Sequence, residues 1–141
     1  MAHLFTYGTL MWPDIMARVC GPACAPPATP QAATLAGHAR RPVRGQDYPA
    51  MVPADGHQVV GRLYLDLPEA AWARLDLFEG DEYERHEVLV TLADGRWERA
   101  WTYLLKPGLA GRLDAGDWDE AAFEREGKAR FVARYVGFDA I

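Results

Sequence analysis

The chain has 141 residues, half of them hydrophobic, and a formal net charge of -5, with neither a repeat nor a low-complexity run. Those values fit one soluble globular domain, residues 1–141, long enough to bury roughly two-thirds of its unfolded surface. An acidic balance without a basic cluster argues against nucleic acid or an anionic membrane as partner and for a small metabolite, and nothing in the pattern specifies an oligomer.

Met1, Ala2 and His3 lead straight into Leu4-Phe5-Thr6-Tyr7. No apolar signal core or transmembrane length intervenes, so a cytoplasmic location is expected. His3 to Tyr7 reads as a short buried strand broken by Gly8. Pro13 suits the first turn of a helix running to about Cys20 and stopping at Gly21. Strand, glycine turn and helix start gather successive backbone N–H groups, which can hold an anion or a developing oxyanion; the plainer use of such a Gly is an ordinary strand-to-helix connection. Cys20 and Cys24 are too few for a disulfide scaffold and fit a reducing compartment. With His38 or His57 they match no familiar zinc spacing, so no metal is expected.

Gly21 to Pro30, rich in Pro and Ala, reads as a surface loop, and Ala32 to Arg40 as a loosely alternating strand. Residues 41–53 read as a second loop, long enough for a functional role, with Tyr48 and Met51 looking buried. Its cations, Arg41 and Arg44, either face a carboxylate ligand or are ordinary solvated arginines. Asp55-Gly56 makes a turn, and Val59 to Leu65 a strand in which Gly61 permits close backbone approach. Pro68-Glu69 opens a helix that delivers Glu79. Tyr83 to Leu92, a turn at Ala93-Asp94-Gly95, and Arg96 to Leu105 form a hairpin. Trp97, Trp101 and Tyr103 alternate on one face, read as core. Lys106-Pro107-Gly108 ends the sheet, and Asp117 can cap a last helix carrying Trp118, Phe123, Gly127, Phe131 and Tyr135 at helical spacing. The sum is an α+β architecture with a curled or barrel-like sheet.

Glu79 is the residue with the clearest chemical potential. It follows Leu75, Leu77 and Phe78 and precedes Gly80, where apolar packing gives way to a turn. A partly desolvated carboxylate there has its pKa raised toward the range useful for accepting a proton near neutral pH, which makes Glu79 a candidate general base. The alternative is a surface Glu at a helix end, a description shared by five other acids from Asp76 to Glu87.

Taken in order, Phe5-Thr6-Tyr7-Gly8-Thr9-Leu10, Tyr48-Pro49-Ala50 with Val52-Pro53, Val60-Gly61, Leu75-Asp76-Leu77-Phe78-Glu79-Gly80, Tyr83-Glu84-Arg85 and Ala100-Trp101-Thr102-Tyr103 resemble the gamma-glutamylcyclotransferase-like family. Its plant avirulence-induced branch and bacterial relatives are the most similar. The likeness covers residues 4 to 104, and the Trp118-Asp119 helix is similar to the family's tail. The resemblance implies a small mixed β-barrel with flanking helices and a cleft at one end. It implies Glu79 as the catalytic carboxylate and Tyr7, Gly8, Thr9, Leu10, Met11 and Trp12 as the substrate-binding loop; Arg44, Tyr48, Tyr83 and Tyr103 are expected to join them in binding the substrate. It further implies a small-molecule gamma-glutamyl substrate, release of 5-oxoproline, and no metal or organic cofactor. A non-catalytic module binding a small metabolite in the same cleft is the main alternative. A metal-dependent hydrolase built on Glu79, Glu82 and a histidine is a third.

Overall fold

The computed structural model describes residues 2–24 and 29–141, so the predicted loop Gly21 to Pro30 lies partly outside the described residues. Five strands, β1 (Ala2–Thr6), β2 (Gln31–Pro42), β3 (Pro49–Leu67), β4 (Tyr83–Leu92) and β5 (Trp97–Leu105), close into a barrel in the order β1-β3-β2-β4-β5. Every pairing is antiparallel except the closing one, where β1 runs parallel to β5 at Leu4 and Trp101. Alternation along the strands sends one set of side chains inward, since successive residues point to opposite faces. Phe5, Leu35, Met51, Leu63, Val90 and Leu104 fill the barrel interior. A second core forms on one outer flank, where Leu4, Tyr64 and Tyr103 meet helices α1 (Pro13–Cys20) and α2 (Glu69–Glu79) and the C-terminal segment. The architecture is therefore the α+β barrel with flanking helices that the sequence led us to expect.

The helices start and stop for local reasons. Pro13 occupies the first turn of α1, whose Ile15, Met16, Val19 and Cys20 face the outer core. In α2 the buried residues are Ala71, Trp72, Leu75 and Phe78, one helical stripe, while Leu77 faces solvent. Each buried side chain of this size contributes about 2 kcal/mol. Gly80, at a φ of 82°, ends α2 with its N–H on the Asp76 carbonyl at 3.1 Å. Only glycine takes that conformation without steric cost, and so the chain leaves the helix directly after Glu79. Gly61 lies so close to the Thr6 carbonyl that any Cβ would collide with it, which is the close strand approach expected there.

Several expectations are corrected. The second loop is shorter than residues 41–53: Pro49 to Pro53 pair with His38 to Pro42, leaving a connection of 43–48. Prolines at the strand ends hid this pairing. The turn at Asp55-Gly56 is a bulge within one long strand, between the pairs Ala36 with Gln58 and His38 with Pro53. Trp97, Trp101 and Tyr103 share the outer face of the barrel: Tyr103 is buried in the outer core and Trp101 packs against it, as expected, but Trp97 is 62% exposed. Cys20 and Cys24 lie next to each other at the end of α1, their Cα atoms 5.6 Å apart. The last helix, α3 (Glu120–Ala122) continued by a π-helical turn (Phe123–Gly127) and α4 (Lys128–Arg134), is capped by Asp119, whose side chain accepts from the Ala122 N–H at 3.0 Å. Asp117 does something else, described below. No helix among the described residues is long and apolar enough to cross a membrane.

Candidate active site

A narrow cleft opens at one end of the barrel, between the end of β1, the start of β3 and the end of α2. Tyr7, Gly8, Thr9 and Leu10 form one wall; Tyr48, Tyr83, Tyr103, Phe131 and Tyr135 form the others, and Glu79 stands among them. No Lys or Arg lines it among the described residues.

Sequence explains how the first wall bends in. Leu4, Phe5 and Thr6 are buried in β1, and Thr102 Oγ1 donates to the Phe5 carbonyl at 3.0 Å, pinning the strand end to β5. A Cβ at Gly8 would lie 2.8 Å from Pro49 Cγ, so glycine allows the turn to press against the start of β3. The chain then winds through a 3-10 turn, Thr9–Met11, in which Met11 N–H bonds the Gly8 carbonyl at 3.0 Å. The N–H groups of Gly8, Thr9 and Leu10 have no acceptor among the described residues, and all three residues are buried. Buried donors left free in this way are costly unless something occupies them, which marks the loop as a place for an anion or a carbonyl oxygen.

Glu79 is the acid of the cleft. Part of the residue remains at the surface because it sits at the helix end, but its carboxyl is enclosed. Among the described residues no protein donor reaches that carboxyl, yet no enclosed side-chain oxygen is left unpartnered, so the carboxyl oxygens keep contact with the open cleft. The surrounding hydroxyl protons go elsewhere. Tyr7 donates to the Tyr103 carbonyl at 2.7 Å, Tyr83 to the Pro49 carbonyl at 3.0 Å, and Tyr103 to Asp76 at 2.6 Å. Tyr135 donates to the carbonyls of Phe78 and Glu79 at 2.8 and 3.1 Å. The carboxylate thus gains no hydrogen bond to offset its burial. Burial first, and repulsion from Asp76 one turn earlier second, push the Glu79 pKa from 4.5 to about 8. Burial and the nearby Glu79 also hold the Tyr7 and Tyr135 hydroxyls above their usual range, so they stay protonated.

Seven of the expected binding residues therefore meet in one cleft with Glu79: Tyr7, Gly8, Thr9, Leu10, Tyr48, Tyr83 and Tyr103. Three do not line it. Met11 packs half-buried against the outer core, and Trp12 turns to Phe123 and Trp118 at ring distances of 4.7 and 6.0 Å, with its indole N–H on Glu124. The 3-10 turn rotates these two positions off the wall that Gly8 to Leu10 occupy. Arg44 pairs with Asp114 at 3.1 Å on the surface, in a separate hollow beyond Tyr48. Two wall residues, Phe131 and Tyr135, were legible only as core positions of the last helix. Their rings stack 4.7 Å apart and meet Phe78, so they seal the flank of Glu79. Two aromatics one helical turn apart were the available signal; which cavity they face was not in the sequence. Glu79, Glu82 and a histidine do not converge, and no group of three metal-ligating side chains occurs among the described residues.

Fold and cleft together define a small closed barrel carrying an enclosed, unpaired acid opposite a loop of free backbone donors. Residues 4–120 match the family model described as "Gamma-glutamyl cyclotransferase, AIG2-like", and the chain belongs to that family. Among curated relatives, AIG2-like protein D of Arabidopsis thaliana is 32% identical over 132 residues, covering 88% of this chain and 83% of the relative. A solution structure of another Arabidopsis thaliana protein superimposes with a TM-score of 0.72 at 26% identity, covering 94% of this chain and 78% of that one. An AIG2-like protein from Mus musculus shares the fold, with a TM-score of 0.64 at 22% identity over 86% of this chain and 89% of that one.

Proposed function

We propose that the chain is a gamma-glutamyl cyclotransferase that converts a gamma-glutamyl amine or peptide to 5-oxoproline and a free amine, with Glu79 as the proton carrier. One observation carries the reading: an enclosed carboxyl without a protein donor shares a cleft with the free N–H groups of Gly8, Thr9 and Leu10.

A gamma-glutamyl group brings its own nucleophile. The α-ammonium passes a proton to the ionised Glu79, and the amine nitrogen attacks the γ-carbonyl carbon, forming the ring C–N bond. Glu79 returns that proton to the original amide nitrogen of the tetrahedral intermediate and takes a second one from the ring nitrogen; the old C–N bond then breaks, and the departing amine receives the second proton as well, leaving Glu79 ionised again. No water is consumed and no side-chain nucleophile is needed. A carboxyl that titrates near 8 when the cleft is empty lies closer to the acidity of the substrate's α-ammonium than an ordinary carboxyl does, and the arriving ammonium itself favours the ionised form of Glu79. Proton transfer by a positioned group contributes about 100-fold to 10,000-fold. The nucleophile and the carbonyl already belong to one molecule, so what the cleft adds is to hold the chain folded with the amine close to the γ-carbonyl. With no cation lining the cleft, the Gly8 to Leu10 N–H groups receive the substrate's α-carboxylate or the oxyanion. Tyr7, Tyr83 and Tyr103, their own protons tied to the protein, shape the cleft around the glutamyl methylenes.

The test is a product assay. The purified chain is incubated with a panel of gamma-glutamyl dipeptides and gamma-glutamyl alkylamines, and 5-oxoproline is measured. Formation that disappears in Glu79→Gln supports the reading. Formation that persists unchanged in that variant removes Glu79 from the mechanism. Thermal stabilisation by the panel with no product from any member would replace the enzyme by a binding module.

A further inference from the structure

Arg40 is a cation that nothing above has used. Its side chain is only 8% exposed, at the end of β2 behind the cleft. Its Nη1 donates to the Tyr7 carbonyl at 2.9 Å and to Glu120 Oε1 at 2.9 Å. Nε and Nη2 donate to the two oxygens of Asp117 at 2.8 and 3.0 Å, a two-pronged carboxylate pair, and the guanidinium lies 5.5 Å from the Trp118 ring centre. Three distant stretches of chain thus meet on one guanidinium: the loop at residue 7, β2, and the entry to the last helix.

The bond to Tyr7 matters for the loop. A trans peptide holds a carbonyl and the following N–H antiparallel. A Tyr7 carbonyl drawn to Arg40 therefore turns the Gly8 N–H to the opposite side, at the head of the run of free donors from Gly8 to Leu10. We propose that Arg40 is a positioning residue: anchored by Asp117 and Glu120, it fixes the Tyr7–Gly8 peptide and so presents the first donor of the cleft loop. The acids that anchor it are themselves largely in solvent, 67% and 48% exposed, so the buried cation is held from outside by the segment after β5. A lysine cannot reproduce this, because its single ammonium lacks the planar fork that serves Asp117, Glu120 and Tyr7 at once.

The catalytic consequence rests on the cyclotransferase reading; the placement of the peptide does not. The experiment therefore has two readouts on the same proteins, the amide resonances of Gly8 to Leu10 by NMR, with and without added 5-oxoproline, and kcat/KM for 5-oxoproline formation. Arg40→Lys is expected to keep a folded spectrum while displacing the Gly8 amide and the Tyr7 carbonyl resonances. It should also weaken the 5-oxoproline response and lower kcat/KM about 10-fold or more, the scale of one charge-assisted hydrogen bond. Asp117→Asn, which leaves Arg40 in place, should displace the same resonances less and cost about 3-fold, and it serves if Arg40→Lys does not fold. Arg41→Gln, which removes a side chain whose one hydrogen bond among the described residues is to the Gly116 carbonyl and leaves the Arg40 bonds to Tyr7, Asp117 and Glu120 in place, should change neither readout. Folded Arg40→Lys or Asp117→Asn with unmoved Gly8 and Tyr7 resonances would overturn the inference. A parent chain that makes no 5-oxoproline from any substrate would overturn the function instead, leaving the resonances to decide Arg40.

Discussion

The barrel interior and the cleft wall are both buried, yet they are built on opposite rules. Phe5, Met51, Leu63 and Val90 meet one another with no polar atom, so the interior is held by packing alone and is indifferent to pH. The cleft wall sets five tyrosines around an acid, with Tyr7, Tyr83 and Tyr103 buried and Tyr48, Tyr135 and Glu79 half-buried. Four of those hydroxyls are tied to carbonyls or to Asp76, and the acid is tied to nothing among the described residues. The difference shows what the tyrosines do: they satisfy their own polar atoms while withholding hydrogen bonds from Glu79. A carboxyl is thereby kept uncomfortable in a rigid setting, and its chemistry is the outcome.

Glu79→Gln should break the comparison most sharply. It makes the acid as inert as the interior, and 5-oxoproline formation should fall about 100-fold to 10,000-fold. In the parent chain kcat/KM should rise with pH and level off above about 8, as Glu79 ionises, and the variant should lack that limb. Next comes the interior. Leu63→Ala should cost about 2–5 kcal/mol in denaturant unfolding, and the loss should be the same at pH 5 and pH 8.

Stability against pH sharpens the contrast further. Glu79 keeps its proton in the folded chain up to about 8, whereas the unfolded chain releases it near 4.5. Between those values the folded state binds the extra proton, so stability falls as pH rises and is level above about 8. The advantage of Glu79→Gln over the parent should therefore grow across that window, reaching about 1–3 kcal/mol by pH 8 once water in the open cleft is allowed for. A constant difference from pH 4.5 to 8 would contradict the burial of this carboxyl. Smaller again is Tyr135→Phe, which removes the hydroxyl bonding the last carbonyls of α2 and should cost about 1 kcal/mol. Least of all, Trp97→Thr on the uncovered flank should shift stability by no more than about 0.5 kcal/mol, measured by thermal melting.

Much of this contrast can be read from the residues in order, because it depends on local pattern. Gly80 after Leu75, Leu77 and Phe78 marks where α2 must end, and with it the place of Glu79. Gly8 after a buried run marks the turn of the loop, and Gly61 the tight strand approach. What escaped the reading depends on contacts across the chain. Arg40 sits one residue from Arg41, and no periodicity says which of the two is drawn inside; the choice is made by Asp117 and Glu120, some eighty positions away. Arg44 drew attention as a loop cation, yet Asp114 holds it at the surface. Asp117 and Asp119 are equally good caps by type, and Asp119 took the role because Asp117 was engaged by Arg40. The wall residues Phe131 and Tyr135 look the same as core residues until the helix that carries them is docked.

That docking has a consequence for when the acid becomes special. The side chains that shut water away from Glu79 on one flank are supplied by positions 131 and 135, beyond the 4–120 stretch that matches the family model. A ribosome that has built α2 and the barrel has walled Glu79 in from one side, with Asp76 beside it, and left the other flank open to water. The enclosure is completed when the last aromatic residues settle, so the ionisation of one side chain is tied in part to the far end of the polypeptide.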